Sequence, residues 1–271
     1  MTPLRIALRV AGAVAAGVTV ALLVLPVVAL VLHTSPGALI ASLAEERTLQ
    51  ALRLSAITSL VSLLLVVAVG APTAVLLAGR RFRGKALLET LITLPMVLPP
   101  TVAGLGLLLA FGRAGLLGGT LSQFGVTVPF TTLAVIVAQT FVALPFFITA
   151  ATSGLRAIDP RYLEAAATLR ASPWHRTIRV TLPLALPSLA AGAAMGWARA
   201  LGEFGATITL AGNLPGRTQT MPLAVYFALE TDLDAAVALA VLLLAVSFAV
   251  LLAVRASPLH AGPAGASRPR L

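Results

Sequence analysis

Long apolar runs constrain this chain more than any other feature. Six segments, Val10 to Leu32, Leu54 to Gly79, Thr90 to Gly112, Thr131 to Ser153, Leu184 to Leu210 and Ala235 to Val254, have the length that crosses a bilayer. A hydrocarbon core about 30 Å thick takes about 20 residues at a rise of about 1.5 Å. Only the fifth run carries charge, at Arg199 and Glu203. The composition agrees, with 59% hydrophobic and 10% charged residues and a mean hydropathy of +1.01, well outside the range of soluble domains. Barrel strands alternate in polarity and span only about ten residues, whereas these runs are continuously apolar. The expected fold class is therefore all-α and integral to the membrane, with six transmembrane helices.

The net charge of +10 raises the question of a nucleic-acid partner. Placement answers it. With the N-terminus inside, the cytoplasmic segments hold Arg5, Arg9, Arg80, Arg81, Arg83, Lys85, Arg156, Arg161, Arg170, Arg176, Arg179, Arg255, Arg268 and Arg270, 14 of the 19 basic residues. Outside lie Arg47, Arg53, Arg113 and Arg217. This is the positive-inside pattern, so both termini are expected in the cytoplasm and no nucleic-acid role is expected. The first run exceeds the roughly 7 to 15 residues of a signal-peptide core, and Leu25-Pro26-Val27 offers no small-residue cleavage site, so it reads as a retained helix. The chain has no cysteine, which excludes disulfides and thiolate metal sites.

The longest polar connection on the cytoplasmic side runs from Gly154 to Pro183. Long connections are usually functional or disordered, and this one reads as ordered. Asp159 before Pro160 and Ser172 before Pro173 are both helix starts, an N-cap followed by proline at the first helical position. Two short helices are expected. In the first, Tyr162, Ala165, Ala166 and Leu169 form an apolar stripe presented to the cytoplasm, with Arg161, Glu164 and Arg170 turned elsewhere. The segment after Ala256, rich in Pro, Gly, Ala and Ser, reads as a flexible tail over 256–271, leaving 1–255 as one membrane domain with a 154–183 loop.

Glu164-Ala165-Ala166 followed by Val180-Thr181-Leu182-Pro183 resembles the EAA loop of ABC importer permeases. That pattern is EAA, three residues, Gly, nine residues, Ile, one residue, Leu-Pro, and here Arg170 stands at the Gly position and Val180 at the Ile position. A glycine would supply a left-handed turn, and another residue would bear a strain of about 1 kcal/mol, so the turn is expected to be built differently here. The resemblance implies a six-helix, type I (MetI-like) permease whose loop docks on a cytoplasmic ATPase. Alanines at 165 to 167 allow close approach, and Glu164 can pair with a basic group of the partner. A capped surface helix alone would be unremarkable; the spacing through Leu182-Pro183 favours coupling.

Ala198-Arg199-Ala200-Leu201-Gly202-Glu203-Phe204-Gly205-Ala206-Thr207 resembles the fifth-helix signature of oxyanion permeases. An ionisable residue in the bilayer costs about 2.5 to 3.5 kcal/mol on insertion scales, so Arg199 and Glu203 are expected to pair along one helix face. The pair either fixes packing or tempers the potential of an anion path; packing is favoured, because a dianion gains nothing obvious from a carboxylate. Leu94-Pro95-Met96-Val97-Leu98-Pro99-Pro100-Thr101, and Asn213-Leu214-Pro215-Gly216-Arg217-Thr218-Gln219-Thr220-Met221-Pro222, resemble the molybdate permeases in particular. The likeness extends over about Phe82 to Tyr226 and leaves sulfate and tungstate permeases as alternatives.

Pro95, Pro99 and Pro100 each remove a backbone donor, so the third helix should be broken there. Carbonyls freed at membrane depth must be buried in protein or face water, so this stretch, with Thr101, is expected to line the path or its gate. Gly192 and Gly196 lie in small-xxx-small spacing and predict close helix packing. Six helices are too few to enclose a route easily, so a two-fold homodimer is expected, as the family implies.

No phosphate-binding glycine loop, paired catalytic carboxylates or nucleophile with a base appears, and His33, His175 and His260 are scattered. The chain is thus read as a transport subunit rather than an enzyme, with no cofactor or metal. The resemblance implies a separate ATPase, a periplasmic molybdate-binding protein, a second copy of the chain and an inner-membrane location. The rival of a different class is a secondary transporter that works without ATP.

Overall fold

Proline, glycine and capping hydroxyls set where the helices of this chain start and stop. The computed structural model describes residues 3–79 and 82–256, and every regular element among them is helical. Helix α1 (Pro3–His33) is followed by α2 (Pro36–Ala44), which Ser35 caps by accepting from the Ala38 amide. Next come α3 (Glu46–Gly79), α4 (Lys85–Val97), α5 (Pro100–Phe111), α6 (Gly118–Gln123) and α7 (Thr132–Arg156). The cytoplasmic loop holds α8 (Pro160–Thr168) and α9 (Pro173–Arg176), and a π-helical turn over Thr177–Thr181 carries α9 straight into α10 (Leu182–Leu201). Then follow α11 (Gly205–Ala211), α12 (Met221–Leu229) and α13 (Leu233–Ala256).

Among the described residues, five helical stretches are long and apolar enough to cross a membrane: α1, α3, α7, the continuous Pro173–Leu201 and α13. A sixth arises if α4 and α5, which meet at 116°, count as one span. The break predicted from Pro99 and Pro100 is therefore present. The fifth predicted run is corrected: it is not one helix from Leu184 to Leu210 but stops at Leu201 and restarts at Gly205. The connections between spans also fold further than expected, into α2, α6 and α12. Arg80, Arg81 and the predicted tail beyond Ala256 lie outside the described residues.

Helix α7 is the hub of the bundle, packed between α3 and α10. Phe147 shows how closely. A Cβ on Gly70 of α3 would lie 2.5 Å from the Phe147 ring, and one on Gly192 of α10 would lie 3.3 Å from the Phe147 carbonyl oxygen. The small-residue spacing at Gly192 and Gly196 thus serves packing within the chain. Val66, Ala74, Leu77, Ile148, Ala151 and Ala185 complete this core. A second core joins α5, α7 and α11 through Ala103, Leu107, Val135, Ala138, Ala206 and Leu210. Helix α1 leans on α13 and leaves its apolar stretch exposed.

A bilayer offers no water to satisfy polar groups, so a buried hydroxyl gains most from a partner in the protein. On α3, Ser55 accepts from the Met221 amide at 2.7 Å and Ser59 from Trp197 Nε1 at 3.0 Å, while Ser62 donates to the Ile136 carbonyl at 3.1 Å. These bonds tie α3 to α7, α10 and the start of α12.

Candidate functional site

Asp159 caps α8, its carboxylate accepting from the Arg161 amide at 2.9 Å, and Ser172 caps α9 by accepting from the His175 amide at 3.2 Å. Both predicted short helices form. The apolar stripe of α8 is only partly as expected: Tyr162, Ala165 and Leu169 stand exposed, Leu169 at 83%, whereas Ala166 turns inward. Ala166 with Ala171 and Val180 lines a cleft between α8 and the π turn, rimmed by Arg170, His175 and Arg179. Glu164 remains on the exposed side.

Arg170 overturns an expectation. It adopts φ +56°, the left-handed conformation, so the turn is built as a glycine would build it. The Ala171 amide donates to the Ala166 carbonyl at 3.1 Å and the Arg170 amide to the Ala167 carbonyl at 2.9 Å, the bond pair of a Schellman motif. Two carbonyls that the end of α8 would orphan are satisfied, and this offsets the strain of about 1 kcal/mol at a non-glycine residue.

The second group lies at the breaks. Pro95 sits inside α4, half-buried, while Pro99, Pro100 and Thr101 begin α5 and are exposed in the single chain. Pro100 packs against Gly205, so the α4–α5 break and the α10–α11 break meet. Glu203 occupies the latter and is only 1% exposed. Its Oε2 pairs with Arg199 Nη1 at 2.6 Å and its Oε1 accepts from the Ala206 amide at 2.7 Å. One carboxylate thus neutralises the guanidinium, whose side chain is 29% exposed, and caps the restarting helix. The pair was legible in the sequence; the cap was missed, because reading the fifth run as continuous leaves no helix start for Glu203 to cap.

The Asn213–Met221 loop also gains a structural account. The Thr218 hydroxyl accepts from the Leu214 amide at 2.9 Å, Thr132 Oγ1 donates to the Arg217 carbonyl at 2.9 Å, and Gly212 and Gly216 take positive φ. Thr218 and Thr220 are fully buried. The loop is thereby fastened to α3 and α7.

This architecture is that of an ABC importer permease of the MetI-like type. The chain superposes with a TM-score of 0.74 on a chain in the crystal structure of a bacterial ABC transporter involved in the import of the acidic polysaccharide alginate, at 16% identity, covering 93% of this chain and 94% of that one. A chain of the inward-facing MetNI methionine ABC transporter matches at 0.57, with 20% identity, 76% of this chain and 90% of that one. The chain belongs to the family of binding-protein-dependent transport system inner membrane components, matched over residues 67–257. It is 44% identical to the molybdenum transport system permease protein ModB of Mycobacterium tuberculosis, over 86% of this chain and 88% of that one. Identity is 35% to the probable transport system permease protein NifC of Clostridium pasteurianum, over 87% and 83%, and 40% to ModB of Escherichia coli K12, over 67% and 80%.

Proposed function

We propose that this chain is the membrane-spanning permease subunit of an importer that carries molybdate across the inner membrane, driven by ATP hydrolysis in a separate cytoplasmic subunit. The observation that carries the reading is mechanical. Helix continues from Pro173 to Leu201, 29 residues or about 43 Å, from the α8–α9 segment to the break that rests on Pro100. A displacement of the loop is thereby transmitted to the paired breaks. Tyr162, Glu164, Ala165 and Leu169 form the docking face, Asp159 fixes where α8 starts, and Ala166 and Arg170 hold its inner side and its end. Pro95, Pro99, Pro100 and Thr101, braced by Arg199 and Glu203, form the gate.

Two copies place the route along their shared axis, with both termini in the cytoplasm, two ATPase subunits below and a periplasmic molybdate-binding protein above. Closure of the ATPases draws the two α8 segments together and opens the route outward, which is alternating access. The names of the curated relatives and the Pro215 to Pro222 run support molybdate as cargo.

Proteoliposomes holding the chain, its ATPase and its binding protein test this. Molybdate uptake should require ATP, persist when ion gradients are collapsed, and yield to excess tungstate more than to excess sulfate. Uptake that follows an ion gradient without ATP makes the chain a secondary transporter instead. Replacing Glu164 and Ala165 by tryptophan should abolish ATPase association; unchanged association and uptake refute the coupling assignment.

A further inference from the structure

In an apolar helix a serine or threonine hydroxyl usually finds its acceptor one turn back, at the i−4 carbonyl. Thr19, Thr58, Thr73, Thr90, Thr93 and Thr209 do so here, at 2.8 to 3.0 Å. Thr152 on α7 departs from this: it is only 6% exposed and its hydroxyl has no hydrogen-bond partner among the described residues, and Thr149 and Ser153 stand beside it on the same face, both exposed in the single chain. All three line a cavity of about 190 Å³ between α3, α4 and α7. Arg156, one turn further along the same face, lines it too, with Thr93 and Glu89 opposite on α4.

Arg156 uses only Nη2, which donates to the Leu77 carbonyl at 3.2 Å and to the Glu89 carboxylate. Its Nε and Nη1 have no protein partner among the described residues. The cavity thus gathers donors: the buried Thr152 hydroxyl, the exposed Thr149 and Ser153 hydroxyls and a guanidinium, 46% exposed, with spare N–H groups, walled otherwise by Leu77, Ile92 and Ile148. A cation would sit beside the guanidinium and be repelled. An anion would meet donors on every polar side except at Thr93, whose hydroxyl proton goes to the Glu89 carbonyl, and at the Glu89 carboxylate, which now holds the guanidinium in its place.

We infer that this cavity is a binding site for a tetrahedral oxyanion. Thr149, Thr152 and Ser153 donate to its oxygens, Arg156 supplies the countercharge, and Glu89 is an internal carboxylate that the oxyanion displaces. As a site for the cargo it rests on the importer reading above. Its position then has a meaning: Arg156 lies three residues before Asp159, the cap of α8, so occupancy and the coupling segment share one helix end.

The test uses the full chain with its ATPase in nanodiscs, without nucleotide or binding protein, and measures tungstate retained at equilibrium by mass spectrometry. Glu89→Gln, which frees the guanidinium but keeps its shape partner, should tighten tungstate binding roughly tenfold, and Thr152→Val should weaken it roughly fivefold. Inorganic phosphate in parallel separates the sources: tungstate bound in preference marks a cargo site, and equal binding marks a general phosphate or lipid-headgroup site, both of them oxyanions. The inference is overturned if Glu89→Gln shows no saturable tungstate or phosphate binding, or if neither substitution changes it while both variants keep the melting temperature of the parent. Molybdate uptake by the unsubstituted complex is read separately, so a transporter that works without this site sinks the site and not the function.

Discussion

Pro100 opens α5, Gly205 opens α11, and the two are in contact: a Cβ placed on Gly205 would lie 2.6 Å from the Pro100 Cβ. Gly104, one turn into α5, repeats the approach, since a Cβ there would lie 2.7 Å from the Thr209 Cβ and 2.9 Å from the Ala206 Cα. Two half-helices are thus pressed together where their spans are interrupted. Backbone released at a break survives in lipid only when protein covers it, and here each break covers the other.

Gly205→Ala should therefore fail where most glycine-to-alanine changes in helices help. The added methyl meets a proline ring that cannot rotate away, so α5 and α11 must separate by about 1 Å to restore ordinary contact. Molybdate uptake in proteoliposomes should fall more than about tenfold, as expected for a small misplacement at a working site. Gly106→Ala is the control, since nothing lies within 4 Å of a Cβ there. Equal uptake by the two variants removes the gate from this contact.

Arg199 and Glu203 should behave as one unit. Glu203→Gln leaves a guanidinium that is 29% exposed without its countercharge and should lower stability by about 2 kcal/mol. Arg199→Gln strands a carboxylate that is 1% exposed and should cost at least as much. The double variant, with two neutral amides, should recover part of the loss, giving a coupling of about 1 kcal/mol or more. Thermal unfolding in detergent measures all four proteins; additive losses would show that the pair contributes nothing beyond its members.

Arg170→Gly should tighten the end of α8. Glycine takes φ +56° without the penalty that arginine bears, so the Arg170 and Ala171 amide bonds should open less often. A gain of about 1 kcal/mol slows local hydrogen exchange roughly fivefold at Ala171. Arg170→Ala keeps the strain and should leave exchange unchanged. Protection that rises equally in both variants points to the charge instead of the backbone.

How much of this was legible depended on which residues mark a boundary. Pro99 and Pro100 announce the first break, because proline cannot continue the ladder. The second break carries no proline; its marks are Gly202 and Gly205 around Glu203, a carboxylate inside an apolar run, which reads as one half of an ion pair until the Ala206 amide is seen donating to it. Helix α2 had a readable start in Ser35-Pro36, but short helices lying along a bundle lack the length of a span and pass for loop. Helix α6 starts at Gly118, where the N-cap position Leu117 offers no side-chain cap, and gave no signal. Arg170 was misjudged for a different reason: a propensity of about 1 kcal/mol is smaller than the two hydrogen bonds that the left-handed turn secures.

The π turn between α9 and α10 offers a test of transmission that leaves the proposed docking face intact. Over Thr177–Thr181 the chain carries one more residue than an α-helix would, and the Leu182 amide reaches back to the Thr177 carbonyl, five residues away. Deleting Ile178 should let the segment close as regular α-helix, since the flanking residues are already helical. Four α residues turn through about 400° and rise about 6 Å, close to what the five residues of the π turn cover, so α8 and α9 keep their side of α10. The α8 surface is unchanged in composition and direction, so the ATPase should still bind and molybdate uptake should be retained, read by co-purification and by transport in proteoliposomes. Binding with lost uptake would mean that Pro173–Leu201 works through a hinge at the π turn and not as a continuous rod.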